Sequence, residues 1–81
     1  MARHTARLRT PADVGLAVQQ ARLARGLTQA ELAAELDVTQ SAISAIESGK
    51  ATIYLRRLLE IGRATGPEFA ASWESDDAPR G

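Results

Sequence analysis

Four threonines set the framework of this chain of 81 residues. Thr10, Thr28, Thr39 and Thr52 each stand just before an apolar-periodic segment. There a side-chain oxygen can cap the free N–H groups that open a helix. Thr10-Pro11-Ala12-Asp13 adds a proline suited to the first helical position and a carboxylate that reaches back to the cap. Thr28-Gln29-Ala30-Glu31 is a full capping box. The stops are as regular: Gly26 closes the first segment, Asp37-Val38 turns the chain, Gly49 closes the third, and Gly66-Pro67 breaks the fourth. Between them the expected inward faces are Val14, Val18 and Ala21; Leu32, Ala33 and Leu36; Ile43 and Ile46; and Leu55, Leu58, Leu59 and Ile61. The expected fold is all-α, a compact four-helix domain over residues 10–66.

Beyond Pro67 the period changes. Phe69, Ala71 and Trp73 alternate with Glu68, Ala70, Ser72 and Glu74, which favours a strand over a final helical turn across 68–73. A lone strand cannot satisfy its own hydrogen bonds, and a second copy of the chain is the simplest partner. Residues 67–74 are therefore a candidate dimerisation segment. Phe69, Ala71 and Trp73 form its contact, with Tyr54 and Leu55 as neighbours. A lid on the monomer core is the competing role for Trp73. Residues 1–9 are expected to be a flexible basic arm, and 75–81 a disordered acidic tail.

Composition removes several chemistries. The chain has one histidine and no cysteine. That excludes a Cys/His zinc site, and Ser-His-Asp or Cys-His catalysis within one chain has no support. No Gly-rich phosphate loop or metal-ligand cluster is present. Glu31 and Glu35 share a helix face at i, i+4, which reads as a solvated face. The expectation is a protein that is not an enzyme, with no metal and no cofactor. Apolar runs reach only three or four residues, too short for a membrane span. Met1-Ala2-Arg3-His4 lacks a secretory-type apolar core, so a cytoplasmic location is expected. The zero net charge hides a segregation. Residues 1–25 carry five arginines against Asp13, a net +4, and residues 68–81 carry Arg80 against four acids, a net −3. A basic front of this kind points to contact with nucleic acid.

Residues 29–48 hold the most specific pattern. Two helices crossing steeply need a small residue at the approach, and Ala33 supplies it. The turn needs a residue tolerant of positive φ followed by a buried apolar one, and Asp37-Val38 fits. The second helix needs two apolar residues one turn apart, Ile43 and Ile46. With threonine caps at 28 and 39, this is the pattern of a helix-turn-helix.

The sequence here closely resembles the Cro/cI-type helix-turn-helix domains of bacterial and phage repressors. The resemblance is carried by Arg22-x-x-x-Gly26-Leu27-Thr28-Gln29-x-Glu31-Leu32-Ala33 and by Val38-Thr39-Gln40-Ser41-x-Ile43-Ser44-x-Ile46-Glu47-x-Gly49-Lys50. It covers about residues 12–66. Asp37 departs from the family's usual Gly, at an expected cost of about 1 kcal/mol. Gly62 departs from the usual Ala and should weaken its helix by about 1 kcal/mol.

The resemblance implies that the third helix enters the major groove of double-stranded DNA. Gln40, Ser41, Ser44 and Ala45 are then the base readers. Gln40 suits bidentate pairing with adenine, the serines suit donors or acceptors, and Ala45 suits a thymine methyl. Gln29, Thr39 and Lys50 become phosphate contacts, and Arg3, Arg7 and Arg9 could follow the backbone or enter the minor groove. Arg22 and Glu47 match a structural ion pair joining the first and third helices. Ordinary first-turn polar residues remain the alternative for Gln40 and Ser41, and a solvated side chain the alternative for Lys50.

Two further stretches resemble HipB-type antitoxins: the lead-in Leu8-Arg9-Thr10-Pro11-Ala12-Asp13-Val14-Gly15, and the Pro67–Glu74 tail. That likeness implies a homodimeric repressor on a palindromic operator that also neutralises a HipA-type kinase toxin. The alternatives are a stand-alone transcriptional regulator and an interaction module that does not bind DNA.

Overall fold

Each of the four threonines caps a helix in the computed structural model, which describes residues 2–50 and 52–75. The helices are α1 (Pro11–Ala24), α2 (Gln29–Leu36), α3 (Gln40–Glu47) and α4 (Ile53–Thr65). Strands β1 (Ala2–Arg7) and β2 (Ala70–Ser75) precede and follow them. Thr10 Oγ1 accepts the Asp13 N–H at 3.1 Å, and Asp13 Oδ2 accepts from the Thr10 N–H at 3.1 Å and the Arg9 N–H at 2.9 Å. Thr28 and Glu31 form the second reciprocal box. Thr39 accepts from Ala42 and Thr52 from Leu55. Asp37 adopts φ 55° and ψ 45°, the left-handed geometry that the turn demands. The Val38 N–H then returns to the Ala33 carbonyl at 3.0 Å, closing α2.

The terminal segments differ from expectation. β1 and β2 pair with each other, antiparallel, in the register Arg7↔Ala70 through His4↔Trp73 to Ala2↔Ser75. The Leu8 N–H extends the ladder to the Phe69 carbonyl at 2.8 Å. Ala2–Arg7 is thus a strand rather than a free arm, and Ser75 belongs to β2 rather than to a tail. The rest of the expected tail, 76–81, lies outside the described residues. The physical reason is proximity. The open edge of β2 needs a partner, and a segment tethered to the same chain supplies one without bringing two molecules together. The charges assist. Arg3 lies 3.7 Å from Glu74 and Arg7 3.6 Å from Glu68, so basic front and acidic tail meet across the ribbon. These pairs are exposed and contribute little energy, but they favour this register over a slipped one. The His4 and Trp73 rings stack with centroids 5.6 Å apart.

Phe69, Ala71 and Trp73 are consequently used within the chain. Ala71 pairs with Ala6 and Trp73 with His4, and the Phe69 ring lies on α4. A Cβ on Gly62 would stand 2.6 Å from Phe69 Cε2. Gly62 is therefore a seat for the ring, not merely a weak point in its helix. Arg63 Nη1 donates to the Arg9 carbonyl at 2.8 Å and ties α4 to the chain leaving β1.

Among the described residues the buried hydrophobics are few: Ala17, Ala33, Ile43 and Leu59. The expected face of α1 is only half-buried at Val14, Val18 and Ala21, while Gly15 and Ala17 lie deepest. Leu36, Val38, Ile46, Leu58 and Ile61, expected to face inward, are exposed, because no described element covers them. No helix among the described residues is long and apolar enough to cross a membrane.

Candidate nucleic-acid interface

The third helix is held from one side and open on the other. Its held side begins with Ile43, buried between the helices. It continues at the crossing of α1 and α3, where Gly15 faces the backbone of Ile46 and Glu47. A Cβ on Gly15 would lie 2.7 Å from the Glu47 carbonyl oxygen and closer still to that of Ile46. Two helical turns further along α1, on the same face, Arg22 reaches the Glu47 side chain. Arg22 Nε donates to Glu47 Oε2 at 2.7 Å and Nη2 to Oε1 at 3.0 Å, a bidentate pair. The two side chains are only 8% and 3% exposed. Arg22 Nη1 donates to the Leu27 carbonyl at 2.7 Å, fixing the α1–α2 turn as well. Gln29 Nε2 completes the cluster with a 3.1 Å bond to Glu47 Oε1. One carboxylate therefore gathers donors from α1 and α2 onto the end of α3.

The open side carries the expected readers. Gln40, Ser41 and Ser44 are exposed and Ala45 is half-buried. On a helix Ser41, Ser44, Ala45 and Ser48 share one face, with Gln40 at its leading end. Thr39 accepts the Ala42 N–H, which leaves its hydroxyl hydrogen for an outside acceptor. The first N–H groups of α2 and α3 have no helical partner, as at any helix start, and suit phosphate oxygens. Lys50 is exposed just past α3, its N–H bonded to the Ala45 carbonyl at 3.0 Å.

Not every expected contact is assembled here. The Gln29 amide is engaged by Glu47, so only its oxygen and its backbone remain for another partner. Arg3 and Arg7 project from the exposed face of β1 toward Glu74 and Glu68. Arg9 is exposed at the β1–α1 junction. Sequence reasoning missed the Gly15 crossing and the Gln29–Glu47 bond. A glycine inside an otherwise amphipathic helix was the available signal for the first.

Three carboxylates sit below their ordinary values. The Arg22 guanidinium, by hydrogen bonding, lowers Glu47 against the opposing effect of burial. The Arg9 N–H lowers Asp13, and the Thr28 N–H lowers Glu31. A depressed carboxylate stabilises the fold above its unfolded pKa, and that stability is lost as pH falls through the folded pKa. With an ordinary glutamate value of 4.5, the urea midpoint should be level near neutrality. It should fall as acid takes the pH below that value. A midpoint that rose on acidification would contradict the capping and ion-pair geometry.

A family model described as helix-turn-helix matches residues 18–68. The chain belongs to that family, of the Cro/cI type. The match runs from the middle of α1 to just past α4, so it contains α2, α3, α4 and both ends of the Arg22–Glu47 pair, and leaves β1 and β2 outside. Membership makes this helix-turn-helix protein a DNA-binding regulator of transcription. No curated protein and no solved structure gives a significant match.

Proposed function

We propose that this helix-turn-helix protein is a sequence-specific repressor that binds a palindromic operator as a homodimer. The observation that carries the reading is the two-sidedness of α3. One side is locked by Ile43, the Gly15 crossing and the Arg22–Glu47 pair. The other presents Gln40, Ser41 and Ser44 to solvent, with Ala45 beside them. Gln40 and the two serines read base edges, and Ala45 meets a thymine methyl. Thr39, Lys50 and the first turn of α2 beside Gln29 hold phosphates. Arg3 and Arg7 reach phosphate only by leaving their glutamates, a small cost for exposed pairs, and Arg9 is nearer to hand. Two copies would set their recognition helices about 34 Å apart, one turn of DNA.

The test is selection of bound sequences from a random pool, then competition binding on single-base variants of the winner. Gln40→Ala should lose roughly 1–3 kcal/mol at one base position and little elsewhere. Uniform weakening across all variants would remove Gln40 from base reading.

Repression of its own operon, with neutralisation of a HipA-type kinase toxin, remains the finer reading supported by the Leu8–Gly15 lead-in. The stand-alone regulator is favoured by one observation: β2 already has a partner within its own chain. Co-purification with the product of the neighbouring gene separates the two.

A further inference from the structure

Where the strand ribbon meets α4, the chain folds around a cleft of about 270 Å³. Part of its lining is apolar: Leu59, which is buried, with Leu8 and Phe69, which are half-buried. Each is fixed by a separate contact. The Leu8 N–H bonds to the Phe69 carbonyl at 2.8 Å, which joins the two strand ends. The Phe69 ring sits where Gly62 lacks a Cβ. Leu59 lies one turn before Gly62 on the same face of α4. The rest of the lining is charged and unbalanced. Arg7, Arg9 and Arg63 stand against one acid, Glu68, a net +2. Glu68 is taken by Arg7 at 3.6 Å. Neither Arg9 nor Arg63 has a carboxylate within ion-pair distance among the described residues. Arg63 spends Nη1 on the Arg9 carbonyl at 2.8 Å, which holds its guanidinium at the cleft and leaves Nε and Nη2 as donors. The Asp13 carboxylate accepts the Arg9 and Thr10 N–H groups at the start of α1 and does not line the cleft.

We propose that this cleft binds a small monocarboxylate with an apolar body, its carboxylate held by Arg9 and Arg63 and its body lying against Leu8, Leu59 and Phe69. Complementarity selects that class. Two guanidiniums without a carboxylate call for an anion, and a guanidinium grips a carboxylate through parallel N–H···O bonds. The apolar side chains beside them gain only from a ligand that also carries hydrocarbon. The volume sets the size: at the interior packing density of about 0.74, the cleft suits a ligand of about a dozen non-hydrogen atoms. The inference goes beyond the DNA-binding reading. Arg7, Leu8, Arg9 and Phe69 lie outside the residues 18–68 that the family model matches, so the cleft is something the terminal strands add to the helix-turn-helix. Arg9 serves both readings, facing a phosphate in one and a carboxylate in the other.

Titration of the isotope-labelled full chain with hydrocinnamate, followed by the amide shifts in nuclear magnetic resonance, tests this. The amides of Leu8, Arg9, Gly62, Arg63 and Phe69 should shift saturably, with a dissociation constant on the order of 0.1–1 mM for a ligand of this size. The alcohol analogue, with the same body and no charge, should bind at least about tenfold more weakly. Arg9→Gln and Arg63→Gln should each weaken hydrocinnamate about tenfold. Arg57→Gln, on the same helix and outside the cleft, should leave it unchanged. The Arg9 side chain makes no hydrogen bond among the described residues, so its variant removes charge without disturbing the fold. No saturable shift at these amides, equal affinity for the alcohol, or binding indifferent to Arg9→Gln would each overturn the proposal. Inorganic phosphate binding as tightly as hydrocinnamate would also overturn it, and would assign the arginines to the DNA backbone. The titration contains no DNA, so its failure leaves the operator reading standing. A chain that binds hydrocinnamate in the cleft and selects no sequence from a random pool supports the cleft and sinks the operator reading.

Discussion

Glu47→Ala is expected to remove much of the stability of this helix-turn-helix protein. Glu47 is 3% exposed and accepts three hydrogen bonds, two from Arg22 and one from Gln29. Removing the carboxylate strands a buried guanidinium whose remaining partner is the Leu27 carbonyl. Breaking a buried pair in this way costs about 3–5 kcal/mol. A domain of this size has on the order of 4–12 kcal/mol in all, so the loss consumes much of its stability. Thermal melting followed by circular dichroism should show a fall of at least about 12 °C. The double variant Arg22→Met/Glu47→Leu separates charge from packing. Replacing both partners by apolar side chains of similar size should restore most of the melting temperature. It should not restore full operator affinity, because Gln29 loses the acceptor that positions it. A Glu47→Ala protein that melts within about 2 °C of wild type, well inside the shift expected from a lost pair, would show that the pair does not hold α3.

The parts of the fold that were legible in the sequence are those decided over a few residues. Each threonine cap depends on the N–H three residues away, so its chemistry is complete in the local sequence. Asp37 is similar: its positive φ follows from the turn, and an aspartate tolerates that region better than most residues. The Arg22–Glu47 pair spans 25 residues and could be expected only through the likeness to known repressors. The strand pair was half written. Ala2, His4, Ala6 and Leu8 alternate with Arg3, Thr5, Arg7 and Arg9, the same period of two seen at Phe69–Glu74. The row of arginines pointed to a solvated arm instead, and no local rule names a partner for a strand. Register needed contacts across the chain, the His4–Trp73 stack and the two arginine–glutamate pairs. Gly62 shows the same limit. Helix propensity marks it as a loss, whereas the Phe69 ring that occupies the missing Cβ comes from beyond the helix. At the recognition helix the sequence supplied the exposed residues and their order. It could not show that Gln29 turns its amide inward to Glu47.

Gly15→Ala is expected to destabilise the protein although alanine is the better helix former. On propensity alone the change favours α1 by about 1 kcal/mol. Against this, the new Cβ would lie 2.7 Å from the Glu47 carbonyl oxygen and 3.0 Å from its carbonyl carbon. All the obstructing atoms are backbone, so no side chain can swing aside, and α1 and α3 must separate. Overpacking costs typically 1–3 kcal/mol, more where nothing yields, and here the upper end applies. The net loss should be about 2 kcal/mol, read as a fall in melting temperature of roughly 8–16 °C. Two measurements distinguish this from a general loss of helix. A peptide of residues 10–26 should gain helicity with the substitution, while the whole protein loses stability. Operator affinity at low temperature, where the variant is folded, should also fall, since the displaced helix is the one carrying Gln40, Ser41 and Ser44. A Gly15→Ala protein more stable than wild type would mean that α1 does not press on α3 at this point. The two anchors on that face of α1, the glycine and the arginine two turns beyond it, would then not act as one clamp on the recognition helix.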